Sequence, residues 1–202
     1  EAALAALPGL ARAGGRVASP AIPDRDRAER EIAQLARAGA TLLFLGSSKY
    51  PPFLAMLDDA PPVIAVLGDP DLLSAPAVAL VGARNASANG RRMAETLAGE
   101  LAAPRPVGGG FAVVSGMARG IDSSAHAGAM TTGRTIAVIA GGIDQPSPPE
   151  HADLQAAIAK NGAVVAEAPF GTVPQARHFP RRNRIIAGLS LGVVVVEAAL
   201  RS

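Results

Sequence analysis

Val113-Val114-Ser115-Gly116-Met117-Ala118-Arg119-Gly120-Ile121-Asp122 is the stretch on which the fold reading turns. Its two valines read as the end of a buried strand. Small residues then make a turn, an arginine follows, and Ile121-Asp122 opens a helix. In an α/β protein such a junction lies at the carboxyl end of a sheet strand, where ligands bind. Backbone N–H groups at a helix N-terminus favour an anion, and Arg119 beside them adds a fixed positive charge suited to phosphate. The chain repeats this device, and the repetition decides the reading.

Outward from that stretch, apolar runs rich in Val, Ile and Ala recur at 77–81, 111–114, 135–139, 163–166 and 193–196. Helical patterns fall between them at roughly 88–102, 121–132, 150–160 and 182–190. Continuous apolar strands alternating with helices indicate a mostly parallel sheet covered on both faces. Right-handed crossovers make it a doubly wound, Rossmann-like α/β sheet with helices on both faces. Before this rhythm come a helix over 24–38, capped by Asp24 and ended by Gly39, and a short strand at 41–45. A turn or short helix at Tyr50-Pro51-Pro52 and a strand at 63–67 follow. Residues 1–20, with Leu4, Leu7 and Leu10 in a short apolar pattern, look like the last helix of a small domain plus a linker. The insert at 104–110 joins a helix to the next strand, so it belongs at the sheet end opposite the ligand edge, and its Gly run is expected to be mobile.

Composition narrows the function classes. The 202 residues are 49% hydrophobic, enough for one sizeable core, and contain no cysteine, which excludes disulfides and cysteine-ligated metals. No apolar run approaches the roughly 20 residues of a membrane helix. The opening Glu1-Ala2-Ala3-Leu4 lacks the features of a secretory signal, so a cytoplasmic location is expected. Net charge is only +2, so the global field identifies no partner. Its distribution says more: Arg177, Arg181, Arg182 and Arg184 cluster with His178 and no acid. Aromatics are 3% of the chain, with no Trp and one Tyr, which disfavours extended base stacking on aromatic platforms.

Three strand–helix junctions converge on one sheet edge. The first, after Ala79-Leu80-Val81, reads Gly82-Ala83-Arg84-Asn85-Ala86-Ser87, with Ser87 placed to cap the next helix. The second carries Ser115, Gly116, Arg119 and Gly120. The third, Ala140-Gly141-Gly142-Ile143-Asp144, brings glycine but no cation. Phe179-Pro180-Arg181-Arg182-Asn183-Arg184 enters the helix before the last strand. Small residues admit a phosphate to the backbone and arginine forks orient it. A phosphate-bearing chain or nucleotide is the ligand expected. Plainer roles stay open for the same residues. Gly82 and Gly116 also read as turn glycines, and Arg84 or Arg119 as partners of a carboxylate such as Asp122 or Glu197. Phe179 also reads as core. Asp122 and His126, one helical turn apart, read either as an acid–base pair or as a helix-start acid beside a satisfied histidine. No G-x-G-x-x-G follows the first strand and no G-x-x-x-x-G-K-[ST] exists, which disfavours a dinucleotide enzyme and excludes a P-loop. No metal cluster or catalytic triad is legible.

On these residues the chain resembles the DprA/Smf family of DNA-processing proteins. The match runs from about residue 40 to the end, through Tyr50-Pro51-Pro52, Val81-to-Arg84, Ser115-to-His126, Gly141-to-Asp144, Pro148-to-His151, Phe179-to-Ser190 and Val193-to-Ala198. The resemblance implies a non-catalytic mediator that binds and protects single-stranded DNA, helps load the RecA recombinase, and commonly forms a homodimer, with no cofactor and no metal. It implies a DNA pocket with Arg84 and Arg119, and places Phe179, Arg182 and Arg184 near it; with the junction residues Gly82, Ser115, Gly116 and Gly120 these make up the expected DNA site. It also implies two domains, with 1–20 the remnant of an N-terminal helical domain and 21–202 a Rossmann-like domain cut short. The chain departs from the family pattern in Ser147, where Tyr is usual, in the 104–110 insert, and in ending at Arg201-Ser202 inside a motif that normally continues.

Two other readings compete. One is a nucleotide phosphoribohydrolase-like enzyme on a similar sheet, whose P-G-G-x-G-T-x-x-E signature is matched here only by the Gly141-Gly142 turn. The other is a dimerisation scaffold whose arginines are merely solvated.

Overall fold

The computed structural model describes residues 2–199 apart from 19, 21, 23, 107 and 108. The chain divides into two compact units, residues 1–34 and 35–202. In the first, α1 (Ala2–Ala13) is followed by α2 (Arg25–Arg37), which runs on to the unit boundary and beyond. Asp24 caps α2 as expected, its carboxylate accepting from the Asp26 N–H at 3.3 Å.

The second unit is built on one seven-stranded sheet. Its elements are β1 (Ala40–Phe44), α3 (Pro52–Ala55), β2 (Val63–Gly68), β3 (Ala77–Gly82), α4 (Ala88–Ala102), β4 (Ala112–Ser115), α5 (Ile121–Thr132), β5 (Thr135–Ile139), α6 (Ala152–Asn161), β6 (Ala163–Ala166), α7 (His178–Gly188) and β7 (Val193–Glu197). The strand order is β1-β2-β6-β5-β4-β3-β7. From β6 to β7 all pairings are parallel, whereas β1 pairs antiparallel with β2 and β2 antiparallel with β6. The expected doubly wound, mostly parallel sheet is therefore present, with an antiparallel flank that local periodicity does not reveal.

Alternation along the strands sorts the core onto two faces. Val114, Ile136, Val138 and Val165 pack with Leu54 of α3, Ile185 and Ile186 of α7, and Leu189 just after it. Their neighbours Val113, Ala137, Ile139 and Val164 face α4, α5 and α6. The inner strands are buried on both faces, which is why they read as unbroken apolar runs. Each fully buried Val or Ile contributes roughly 1.5–3 kcal/mol from the area it removes from water.

This winding positions the site. From β3 to β6 the strands step one way across the sheet while α4, α5 and α6 cross one face. Helix α7 then returns the chain over the other face to β7, beside β3. The direction reverses between β3 and β7, and a crevice opens at their carboxyl ends, the place where doubly wound sheets bind ligands. Two helix boundaries differ from expectation. Helix α7 begins at His178 rather than 182, because Pro180 sits in the first turn, where a missing N–H costs nothing. The segment at 150 opens as a 3-10 turn, Pro149–His151, before α6. In the 104–110 insert, residues 107 and 108 lie outside the described residues, and Phe111 resumes by donating to the Leu101 carbonyl at 2.9 Å. Among the described residues no helix is long and apolar enough to cross a membrane.

Candidate nucleic-acid interface

The N-terminus of α4 at this edge is already engaged by one of the protein's own carboxylates, and the turn before α5 holds another. At α4, the Glu197 side chain from the end of β7 accepts from the Ser87 N–H at 2.9 Å and the Ser87 hydroxyl at 2.6 Å. Ser87 in turn caps the helix, its oxygen accepting from the Gly90 N–H at 3.0 Å. At α5, the Asp122 carboxylate turns back to accept from the Ala118 N–H at 3.3 Å. Burial raises the Asp122 carboxyl above its usual range, against the pull of the Arg182 charge and of the N–H donors around it. The first N–H groups of α5 are themselves taken by backbone carbonyls, Ile121 donating to Ala83 at 3.3 Å, Ser123 to Ala118 at 3.1 Å and Ser124 to Gly120 at 3.1 Å.

The residues of the opening motif are correspondingly inward-facing. Ser115, expected at the interface, is fully buried, and its hydroxyl donates to the Leu80 carbonyl at 2.6 Å, tying β4 to β3. Gly116 makes room for Arg182: a Cβ there would stand 2.6 Å from the guanidinium. Gly120 adopts φ +80, and a Cβ there would run into the Ala83 and Arg84 carbonyls, so only glycine fits. Gly82 serves packing too, since a Cβ would meet Ile121 at 2.6 Å and the Glu197 carbonyl at 2.7 Å.

Two arginines expected on the DNA are engaged by the protein's own groups. Arg182, 6% exposed, donates from Nη1 to the Gly116 carbonyl at 2.6 Å and to the Val138 carbonyl. Burial lowers its pKa to about 10, with the Asp122 charge opposing. Arg184 pairs with Glu167 at 2.5 Å and with Asp59 at 3.1 Å. Arg182 reaches inward because α7 crosses the strand ends, where bare carbonyls need donors, whereas Arg184 is drawn in by two carboxylates.

What remains solvent-facing is compact. Arg84, just beyond β3, is exposed and lies over the Phe179 ring from α7, 4.8 Å from its centroid. The pair borders a cavity of about 230 Å³ at the β3–β7 crevice, whose lining includes Asp122, Arg182, Asn183, Ile186 and Val193. A second cavity of about 180 Å³ lies on the other side of α7, between Ile139, Glu167, Thr172, His178 and Arg181. Arg119 is exposed but engaged, its Nε donating to Glu150 at 2.5 Å.

Three residues the sequence reading gave no part enter here. Glu150 and Glu167 neutralise arginines, and Asn183 borders the cavity while accepting from Arg182 Nε at 3.3 Å. Asn183 stands inside the quoted arginine motif and Glu150 inside Pro148-to-His151, so position flagged them, whereas partnership did not. Of the Asp122–His126 pair, the carboxylate borders the cavity and the histidine is enclosed. His126 is fully buried, its Nδ1 is 2.8 Å from the Thr135 hydroxyl, and burial lowers its pKa to about 3. Among the described residues no cluster of His, Asp and Glu is arranged to hold a metal.

Comparison with known proteins agrees with this architecture. The family model for DNA recombination-mediator protein A matches residues 41–202, and the model for a DprA-like N-terminal HHH domain matches residues 1–34. The chain is 39% identical over 175 residues to DNA processing protein DprA of Bacillus subtilis (strain 168), covering 86% of this chain and 57% of that protein. It is 42% identical over 154 residues to DNA processing protein DprA of Streptococcus pneumoniae, covering 76% and 52%. The X-ray structure of the Streptococcus pneumoniae protein superposes with a TM-score of 0.80 at 36% identity, covering 89% of this chain and 60% of that one. DNA processing protein A of Helicobacter pylori, whose structure concerns its single-stranded DNA binding mode, superposes with a TM-score of 0.70 at 31% identity, covering 81% and 71%. This chain spans about half the length of the curated relatives it matches. With its family match extending through β1 to β7 and the helices that cover them, the chain belongs to the DNA recombination-mediator protein A family.

Proposed function

We propose that this chain binds single-stranded DNA at the β3–β7 crevice, without catalysis, as a cytoplasmic recombination mediator that helps load RecA and works as a homodimer. The observation that carries the reading is the Arg84–Phe179 pair: a solvent-facing cation held over a half-buried ring at the sheet's switch point. Such a pair offers its guanidinium to the phosphates of a strand and, as the guanidinium swings off the ring, an aromatic face to a base. Asn183 borders the same cavity, and Arg119 is exposed at the neighbouring β4–α5 junction. The single-stranded DNA binding mode of the Helicobacter pylori relative supports the ligand class. The full burial of His126 supports binding rather than acid–base chemistry by the Asp122–His126 pair.

Fluorescence anisotropy with a labelled single strand at two salt concentrations tests this. Affinity should fall as salt rises, with log K sloping by about −0.7 per neutralised phosphate. Salt-independent binding, or none, overturns the reading. Incubation with nucleoside monophosphates should release no free base, and sustained release would replace the binder with an enzyme.

A further inference from the structure

We infer that Arg182 is a positioning residue for single-strand binding: from inside the fold it sets the Phe179–Asn183 face of α7 against Arg84 and never touches the DNA. The inference rests on the binding reading above and gives that site its internal support.

Three observations converge on it. First, Arg182 is bonded at the ends of two strands. Its Nη1 reaches the carbonyls of Gly116, just past β4, and of Val138 in β5. Gly116 has no Cβ to compete for that space. A single side chain thus joins α7 to the carboxyl edge of the sheet. Second, Arg182 shares a helix face with the groups that border the cavity. Phe179 stands one turn before it and Ile186 one turn after. Asn183, next along the chain, has its amide oxygen held by Arg182 Nε at 3.3 Å. Displacing Arg182 therefore displaces the ring and the amide together. Third, its charge is balanced locally. Asp122 and Arg182 both line the cavity, and the Asp122 charge favours the guanidinium while the like charge of Arg84 acts against it. Repulsion between the two guanidinium groups favours Arg84 lying outward, over Phe179, where a strand would meet it.

The charge alone does not account for this geometry. A lysine would keep the charge, yet its ammonium lacks the planar fork that spans two carbonyls and Asn183 at once. That difference separates positioning from direct contact with phosphate.

The test uses the full chain and a labelled oligo(dT) strand, with affinity measured across a salt series. Arg182→Lys and Arg182→Gln should each weaken binding by about tenfold and leave the salt slope at its wild-type value, because no phosphate contact is removed. Arg84→Ala should lower the slope by about one. A folded Arg182→Gln that loses about one unit of slope while Arg182→Lys binds like wild type would make Arg182 a DNA contact and overturn the inference. Unchanged affinity in both variants would overturn it as well. A double-mutant cycle between Arg182→Lys and Phe179→Leu should show coupling, and additive effects would count against action through α7. Should Arg182→Gln fail to fold, the Asp122→Asn/Arg182→Gln double variant removes both buried charges together, and the same slope criterion applies to it. Failure of the wild-type chain to bind any strand is a different result, since it removes the binding reading itself.

Discussion

The guanidinium of Arg182 occupies the space where a side chain on Gly116 would begin, and its Nη1 donates to the Gly116 carbonyl at 2.6 Å. The pairing links helix α7 to the end of β4 through one missing Cβ. It makes the glycine in the motif a partner of a buried cation rather than an entry point for phosphate.

Gly116→Ala should therefore destabilise the protein by about 1–3 kcal/mol, the range for forcing extra volume into a packed site. Arg182 is held by two carbonyls and has little room to retreat. Denaturant midpoints check this against Gly192→Ala, where no atom lies within 4 Å of the added carbon. The control should stay near wild type.

Phe179→Ala and Arg84→Ala should separate the two halves of the exposed pair. Loss of the ring removes a stacking surface worth about 1–3 kcal/mol per base and leaves the salt slope intact. Loss of Arg84 weakens binding to every sequence and flattens the slope by about one. Anisotropy titrations over a salt series distinguish them, and identical slopes for both variants would contradict this division.

His126 gives a pH signature. Its folded pKa, about 3, lies below the usual 6.5 because the ring is buried beside Arg182. Below 6.5 the unfolded chain binds the proton that the folded chain refuses, so this group's stabilisation is present above 6.5 and is lost as pH falls toward 3. The raised Asp122 works in the opposite sense, its contribution being present at low pH and lost as pH rises through its folded value. Melting temperatures measured from pH 7 down to pH 4 should fall more steeply for wild type than for His126→Asn. That variant keeps a donor toward Thr135 and does not titrate.

Glu150 holds Arg119 at the rim of the crevice. A carboxylate there competes with any phosphate for the same guanidinium. Glu150→Gln should strengthen single-strand binding by a few-fold and steepen the salt slope, with melting temperature nearly unchanged because the pair is exposed. Weaker binding in this variant would mean that Glu150 orients Arg119 for the DNA.

Glu167 binds Arg184 at 2.5 Å and Arg181 at 3.2 Å. Removing it leaves a mostly buried guanidinium with Asp59 as its remaining carboxylate partner, so Glu167→Ala should cost about 1–3 kcal/mol in a denaturant titration. Arg184→Ala should likewise change stability more than DNA affinity. A large affinity loss with unchanged stability would return Arg184 to the DNA surface.

Most of the architecture was legible in the chain because it rests on local periodicity. Runs such as Val113-Val114 and Ile136-to-Ile139 are apolar at every position, and a strand reads so only when both faces are covered. Ser87 and Asp24 announced helix starts by side-chain chemistry that acts over two or three residues. The antiparallel flank was not legible, since a strand's neighbour depends on contacts far along the chain. Pro180 moved the start of α7 for a local reason, as a residue equally at home in a loop and in a first helical turn.

The sequence by itself determined that small residues and arginines gather at the carboxyl edge of a parallel sheet, because strand–helix alternation sends every such junction to that edge. Which arginines face solvent was decided only by the tertiary structure. Carboxylates distant in sequence, Glu197 at Ser87 and Glu167 at Arg184, and the bare carbonyls of Gly116 and Val138 claim donors wherever water is excluded. Long-range burial thus turned Arg182 and Arg184 inward and left Arg84 over Phe179. The physical reason is that an arginine's role depends on what the fold leaves unpaired beside it, and no spacing rule along the chain encodes that.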